Sequence, residues 1–105
     1  MAAVGRIETK GAMATRWRRR RMCLLIAGRP APAALRSISA RGAFLETVAR
    51  PALGERVELR HPEAGAIEAL VRSLAPDGVE LAFPVGEASV AFALAAIAAD
   101  MTRPR

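Results

Sequence analysis

Guanidinium groups and hydroxyls, rather than carboxylates or thiols, dominate the residues of this chain that could do chemistry. Thr15-Arg16-Trp17-Arg18-Arg19-Arg20-Arg21 places five arginines in six positions, and Arg36-Ser37-Ile38-Ser39-Ala40-Arg41-Gly42 follows it. A guanidinium is a planar fork that binds phosphate oxygens two at a time and stacks on flat rings. Arg16 and Arg20, four residues apart, therefore suit a nucleotide with several phosphates. The unbroken run leaves the register open, so Arg18, Arg19 or Arg21 can take either place. In the second segment Ser37 and Ser39 bring short hydroxyls, the turn brings free backbone N–H groups, and Gly42 permits close approach. The two segments together could hold both ends of a purine nucleotide. Each also has a plainer reading: a solvated basic tail, and a turn that merely joins two strands.

Other chemistries lack their residues. Asp77 and Asp100 are the only aspartates, one in a hairpin signal and one near a helix end, so no carboxylate pair for acid–base work is legible. His61, the only histidine, stands beside a proline in a turn, where a structural or solvated role is expected. Cys23 lies between apolar residues, the setting of an inert buried thiol. As the only cysteine it excludes an internal disulfide and a cysteine-based zinc pattern, and it points to a reducing, cytoplasmic compartment. No phosphate-binding Gly-rich loop and no metal-ligand spacing is present. The expectation is a binding protein with no cofactor, no metal and no catalytic site.

A chain of 105 residues carries one core. Hydrophobic residues make up 52% and charged residues 25%, a folding composition, and with four aromatics the core must be aliphatic. The net charge of +6 is local: residues 1–21 hold seven cations and one anion, whereas residues 22–105 hold nine of each. A neutral domain with a basic arm implies a local anion site and argues against a nucleic-acid-coating surface. Ala88 to Ala99 is the longest nearly apolar stretch and falls short of the ~18 residues of a membrane span. Arg18–Arg21 followed by Met22–Gly28 imitates a signal peptide, but its apolar region barely reaches the ~7 residues needed before Arg29 ends it.

The spacing predicts six short strands near 22–28, 34–38, 43–48, 55–60, 66–75 and 78–83, with Gly and Pro residues between them. Pro30 and Pro32 fit a turn between the first two strands, and Pro76-Asp77-Gly78 marks a tight hairpin. Beyond Pro84 and Gly86 the period changes. Val90, Leu94, Ile97 and Met101 form a stripe that can lie across the barrel, with Phe92 off it. The chain reads as having neither internal repeat nor internal linker. The fold class is all-β: a six-stranded antiparallel β-barrel with a C-terminal α-helix. Residues 1–15 read as a disordered extension, 16–101 as the domain and 102–105 as a tail.

The arm before the first strand, the Ser-x-Ser-x-x-Gly turn, and then Gly42-Ala43-Phe44-Leu45-Glu46-Thr47, Leu53-Gly54-Glu55-Arg56-Val57-Glu58-Leu59 and Gly78-Val79-Glu80-Leu81-Ala82-Phe83, in that order, resemble a PilZ domain over roughly residues 16–100. The resemblance implies a PilZ-like barrel that receives cyclic di-GMP, a bacterial second messenger. Arg16 and Arg20 would grip phosphates and stack on guanine, with Arg21 as a neighbouring candidate, and Ser37, Ser39 and Gly42 would form the guanine-reading turn. Ser37 stands where the family has Asp or Asn, and its single oxygen accepts less from the guanine edge. Such a lost contact is worth on the order of 1–3 kcal/mol, about 10- to 100-fold in affinity. Two functions follow. One is a stand-alone cyclic di-GMP receptor that signals to an effector protein, with a homodimer compatible. The other is a degenerate adaptor that acts by protein contact alone, through the helix face near Phe92.

Overall fold

The computed structural model describes residues 21–101. Six strands form a closed antiparallel barrel: β1 (Arg21–Ala27), β2 (Arg29–Ser39), β3 (Gly42–Glu46), β4 (Arg56–His61), β5 (Gly65–Ala75) and β6 (Gly78–Ala82). Helix α1 (Glu87–Met101) follows. Around the barrel the order is β1-β2-β3-β6-β5-β4, and β1 pairs with β4 to close it. The expected six-stranded barrel with one C-terminal helix is thus the observed fold. No helix among the described residues is long and apolar enough to cross a membrane. The proposed disordered extension and most of the arginine arm lie outside the described residues.

Alternation drives the strands. Val57 and Leu59 point inward while Arg56, Glu58 and Arg60 do not, and Val79, Leu81 and Phe83 repeat the pattern. Leu25, Leu45, Leu59, Leu81 and Val79 fill the centre and are essentially inaccessible. β2 is longer than expected because Pro30 and Pro32 lie within it rather than in a turn. Both face β1 in the register, opposite Ile26 and Leu24, while β3 pairs only with Ala34–Ser39. The missing proline N–H groups therefore fall on a stretch of edge that no strand needs. Gly28 alone turns the β1–β2 hairpin, at a φ of 86° that favours glycine.

The barrel is built twice, which corrects the reading of a chain without repeats. β1-β2-β3 and β4-β5-β6 are matching three-strand meanders, β2 starting at 29 and β5 at 65, β3 at 42 and β6 at 78, an offset of 36 residues in both cases. The buried positions obey the same offset: Cys23 and Leu59, Leu25 and His61, Ala33 and Ala69, Ala43 and Val79, Leu45 and Leu81, Thr47 and Phe83. Each long central strand slips register once, between Leu35 and Ser37 in β2 and between Val71 and Ser73 in β5. The extra residue is an arginine both times, Arg36 and Arg72. Backbone bonds agree as well, for Thr47 N–H donates to the Asp77 carbonyl and Phe83 N–H to the Arg41 carbonyl. Within the sequence the repeat is faint, with Leu35-Arg36-Ser37 and Gly42-x-x-Leu45 answering Val71-Arg72-Ser73 and Gly78-x-x-Leu81.

The helix docks through a different face from the one its periodicity suggests. Ser89, Phe92, Ala93 and Ala96 are buried, whereas Val90, Leu94, Ile97 and Met101 are 45%, 63%, 40% and 77% exposed. Small residues let the helix lie close to the barrel, and Phe92 is the one large knob. Its ring meets Phe83 edge-on at 5.8 Å and His61 at 6.2 Å. The Ser89 hydroxyl reaches back to accept from Gly86 N–H and donate to the Gly86 carbonyl, both at 3.0 Å, which fixes the first turn. Phe92→Ala should therefore cost about 3–5 kcal/mol, the range for emptying a buried aromatic site. Leu94→Ala, on the expected stripe, should shift stability by less than about 0.5 kcal/mol. Denaturant midpoints of the two variants check this, and equal losses would return the docking face to the aliphatic stripe.

Candidate functional site

The extra residue at Arg36 decides which side chains of the second strand meet solvent. Ahead of it Ala33 faces the core. Behind it Ser37 and Ser39 face outward, with Ile38 packed against the core edge. A bulge breaks the two-residue alternation in this way and sharpens the local twist. The expected turn is consequently tighter than the segment 36–42. Ser37 to Ser39 are strand, and only Ala40 and Arg41 turn the chain into β3. The Ser39 hydroxyl accepts from Arg41 N–H at 3.1 Å, which holds the turn in place.

An outer groove of about 500 Å³ runs from this turn across β3 and β6 to β5. Ser37, Ser39, Arg41 and Gly42 line it from the first repeat, and Arg72 and Glu80 from the second. The three sequence-predicted turn residues are thus brought together in one place. Arg16 and Arg20 lie outside the described residues. Arg21 is placed elsewhere: it opens β1, donates to the Ala99 carbonyl at 3.2 Å and lies 3.6 Å from Glu63, and it does not line the groove.

Gly42 has a different reason from the one its motif suggests. A Cβ there would overlap the Leu81 carbonyl oxygen of the neighbouring strand. The residue is required by the approach of β3 to β6, before any ligand is considered.

Arg41, Arg72, Glu80 and Phe44 belong to the same surface and were not read as a site in the sequence. The signal that could have found them is the repeat, because Arg72-Ser73 and Arg36-Ser37 occupy matching bulges. Arg36 is held tightly. It forms ion pairs with Glu46 at 2.9 Å and with Asp77, and its guanidinium lies 4.3 Å over the Phe44 ring. Arg41 and Arg72 are exposed and make no ion pair among the described residues. Glu80 accepts from the Ser73 hydroxyl at 2.9 Å. The groove therefore offers two free guanidinium groups, two serine hydroxyls and one carboxylate.

The remaining reactive groups are structural. Cys23 is 2% exposed, and burial pushes its thiol up to about 11, with Arg21 lowering it and Glu63 raising it by smaller amounts. A protonated thiol walled into a barrel is no nucleophile. His61 ends β4 and is buried, not solvated. Its Nδ1 accepts from the N–H groups of Glu63 and Ala64, both at 3.0 Å, which makes it the cap of the β4–β5 turn. Nε2 is buried without a hydrogen-bond partner among the described residues. Burial lowers the pKa of His61, with Arg21 acting in the same direction and Glu63 and Asp100 opposing.

Comparison with protein-family models, curated proteins and solved structures finds no match to this chain.

Because the folded state holds His61 neutral, the unfolded chain takes up its proton first as pH falls. Stability is then complete above about pH 6.5 and declines below it, down to the lowered pKa of the native imidazole. His61→Asn keeps an acceptor for the two turn amides and removes the titration. Urea unfolding between pH 5 and 8 should show a steeper acid loss for the natural chain than for the variant, and parallel curves would remove His61 from this role.

Proposed function

We propose that this chain is a receptor for cyclic di-GMP, a bacterial cytoplasmic messenger, and that it passes the signal to a protein partner. The observation that carries the reading is the groove itself: Ser37 and Ser39 line it together with Arg41 and Arg72, two guanidinium groups without an acidic partner among the described residues. Phosphodiester oxygens match the arginine forks, and a guanine edge matches hydroxyls and a carboxylate. The likeness of the chain's motifs to PilZ domains supports the same ligand and adds Arg16 and Arg20 as phosphate clamps.

Ser37 no longer stands alone as the acceptor for guanine. Glu80 lines the same groove from across the β3–β6 ladder, where it faces Phe44, itself the register partner of Ser37. Its carboxylate can accept from the N1 and N2 donors that an Asp or Asn at position 37 would have served. On this reading the acceptor has moved two strands across the sheet, from β2 to β6. The exposed Val90, Leu94, Ile97 and Met101 face of α1 supplies a surface for the partner.

That same exposed face favours a second reading, the adaptor that works by protein contact without nucleotide. Its surface is the aliphatic stripe and not the neighbourhood of Phe92, which is buried.

Calorimetry with cyclic di-GMP separates the two. The natural chain should bind, and Ser37→Asn should bind about tenfold tighter because a second strong acceptor is added at the guanine edge. Arg20→Ala should weaken binding and flatten its salt dependence. Absence of heat from the natural chain and from Ser37→Asn alike would leave the adaptor reading standing.

A further inference from the structure

The two halves of the barrel treat the same arginine differently. In one half the bulge arginine, Arg36, is neutralised by Glu46 and by Asp77 and lies over Phe44. Shifting each of these by 36 residues, or Asp77 back by 36, gives the surroundings of Arg72 in the other half: Ala82 for Glu46, Arg41 for Asp77 and Glu80 for Phe44. Both carboxylates that hold Arg36 are therefore gone, and one of them has become a second cation. Asp77 and Arg41 are true counterparts in space, since each sits in the hairpin turn of its half and each gives its carbonyl to the matching N–H of Phe83 or Thr47.

We propose that the groove binds an oxyanion between Arg41 and Arg72, in the place that the Asp77 and Glu46 carboxylates take beside Arg36. The closed half is an internal template for the open one: a carboxylate pair stands where a phosphate or carboxylate group of a ligand stands in the other. The carboxylate within the open groove, Glu80, does not occupy the position, because it forms no ion pair with Arg72 within 4.0 Å among the described residues and receives the Ser73 hydroxyl instead. Ser37, the counterpart of Ser73, has no carboxylate opposite it and faces Phe44, so its hydroxyl is available to the same ligand. Two guanidinium groups against one carboxylate leave the groove net positive, and a guanidinium fork binds a phosphate through two parallel N–H donors. This deepens the receptor reading, in which the oxyanion is a phosphodiester of cyclic di-GMP, but its argument is the repeat and not the nucleotide.

The test titrates the full chain with inorganic pyrophosphate and, separately, with cyclic di-GMP, following backbone amide resonances. Amides of residues 39–42 and 72–80 report the groove apart from any binding to the arginine arm. Pyrophosphate should shift both hairpins saturably. Arg72→Ala and Arg41→Asp should each weaken that response at least tenfold, the second because Asp at position 41 repeats the Asp77 arrangement and closes the groove on Arg72. Arg72→Lys, which keeps charge but loses the fork, should fall between. Both side chains are exposed, and thermal melting confirms that the variants remain folded. Unchanged groove shifts in Arg72→Ala and Arg41→Asp, or no saturable shift in the natural chain, would overturn the inference. Pyrophosphate binding that depends on Arg72 without any cyclic di-GMP binding keeps the oxyanion site and removes the receptor reading. Cyclic di-GMP binding that ignores both arginines does the reverse.

Discussion

Two strands of this barrel approach so closely that at two points only glycine fits. A Cβ on Gly42 would overlap the carbonyl oxygen of Leu81, and a Cβ on Gly78 would overlap that of Leu45 and press on the Phe44 ring at 2.8 Å. The two glycines open β3 and β6 at opposite ends of one antiparallel ladder, facing Ala82 and Glu46. Between them the register is fixed, because a slip by one residue would send every inward side chain to the solvent face and a Cβ into a carbonyl. Phe44 then has to face Glu80, and the bulge arginines of β2 and β5 come to flank the pair. The groove, the closed ion-pair cluster and the core halves of both repeats all follow from that one close approach.

Departures from the repeat mark the places where the molecule does something particular. In the core, His61 and Phe83 stand for Leu25 and Thr47, and these two rings are the seat of Phe92. Thr47 at the other position turns its hydroxyl to the Pro32 carbonyl at 2.9 Å and accepts from Ala49 N–H. The segment after it returns to β4 with Ala49 against the core, Pro51 buried and Arg50 donating to the carbonyls of Pro76 and Gly78. One half therefore continues into a tethered connection and the other into a helix. On the surface, the exchange of Asp77 for Arg41 and of Glu46 for Ala82 opens one groove and leaves the other shut.

Strand content was legible because alternation and turn chemistry agree at nearly every position, as in Arg56-Val57-Glu58-Leu59-Arg60 before His61-Pro62. The helix face was not, and the cause is physical. A periodicity argument weighs large aliphatic residues, but the barrel end admits alanines, a serine and one aromatic ring. Pro30 and Pro32 misled for a related reason, since whether a proline can sit in a strand depends on which edge is paired, and that is a tertiary fact. The Ser37, Ser39 and Gly42 segment was readable as a turn with exposed hydroxyls. Arg72 and Glu80 were hidden because nothing in a single strand says which residues its distant neighbour contributes.

Arg21 joins the basic arm to the rest of the molecule. It is the last residue of the arginine run and the first of β1, so it belongs to both. Its guanidinium is spent on the Ala99 carbonyl in the last turn of α1 and on Glu63 in the turn that His61 caps. A cation at a helix C-terminus is favourable, since it meets the carbonyls of the last turn and the negative end of the helix dipole. Arg21 thus sits beside the helix that carries the exposed aliphatic stripe, and Arg16 and Arg20, the phosphate clamps of the receptor reading, precede it in sequence. In the receptor reading Arg21 is the link between the arm and the partner surface. In that reading a phosphate held at Arg20 acts on the direct sequence neighbour of the residue that ties α1 to the β4–β5 turn.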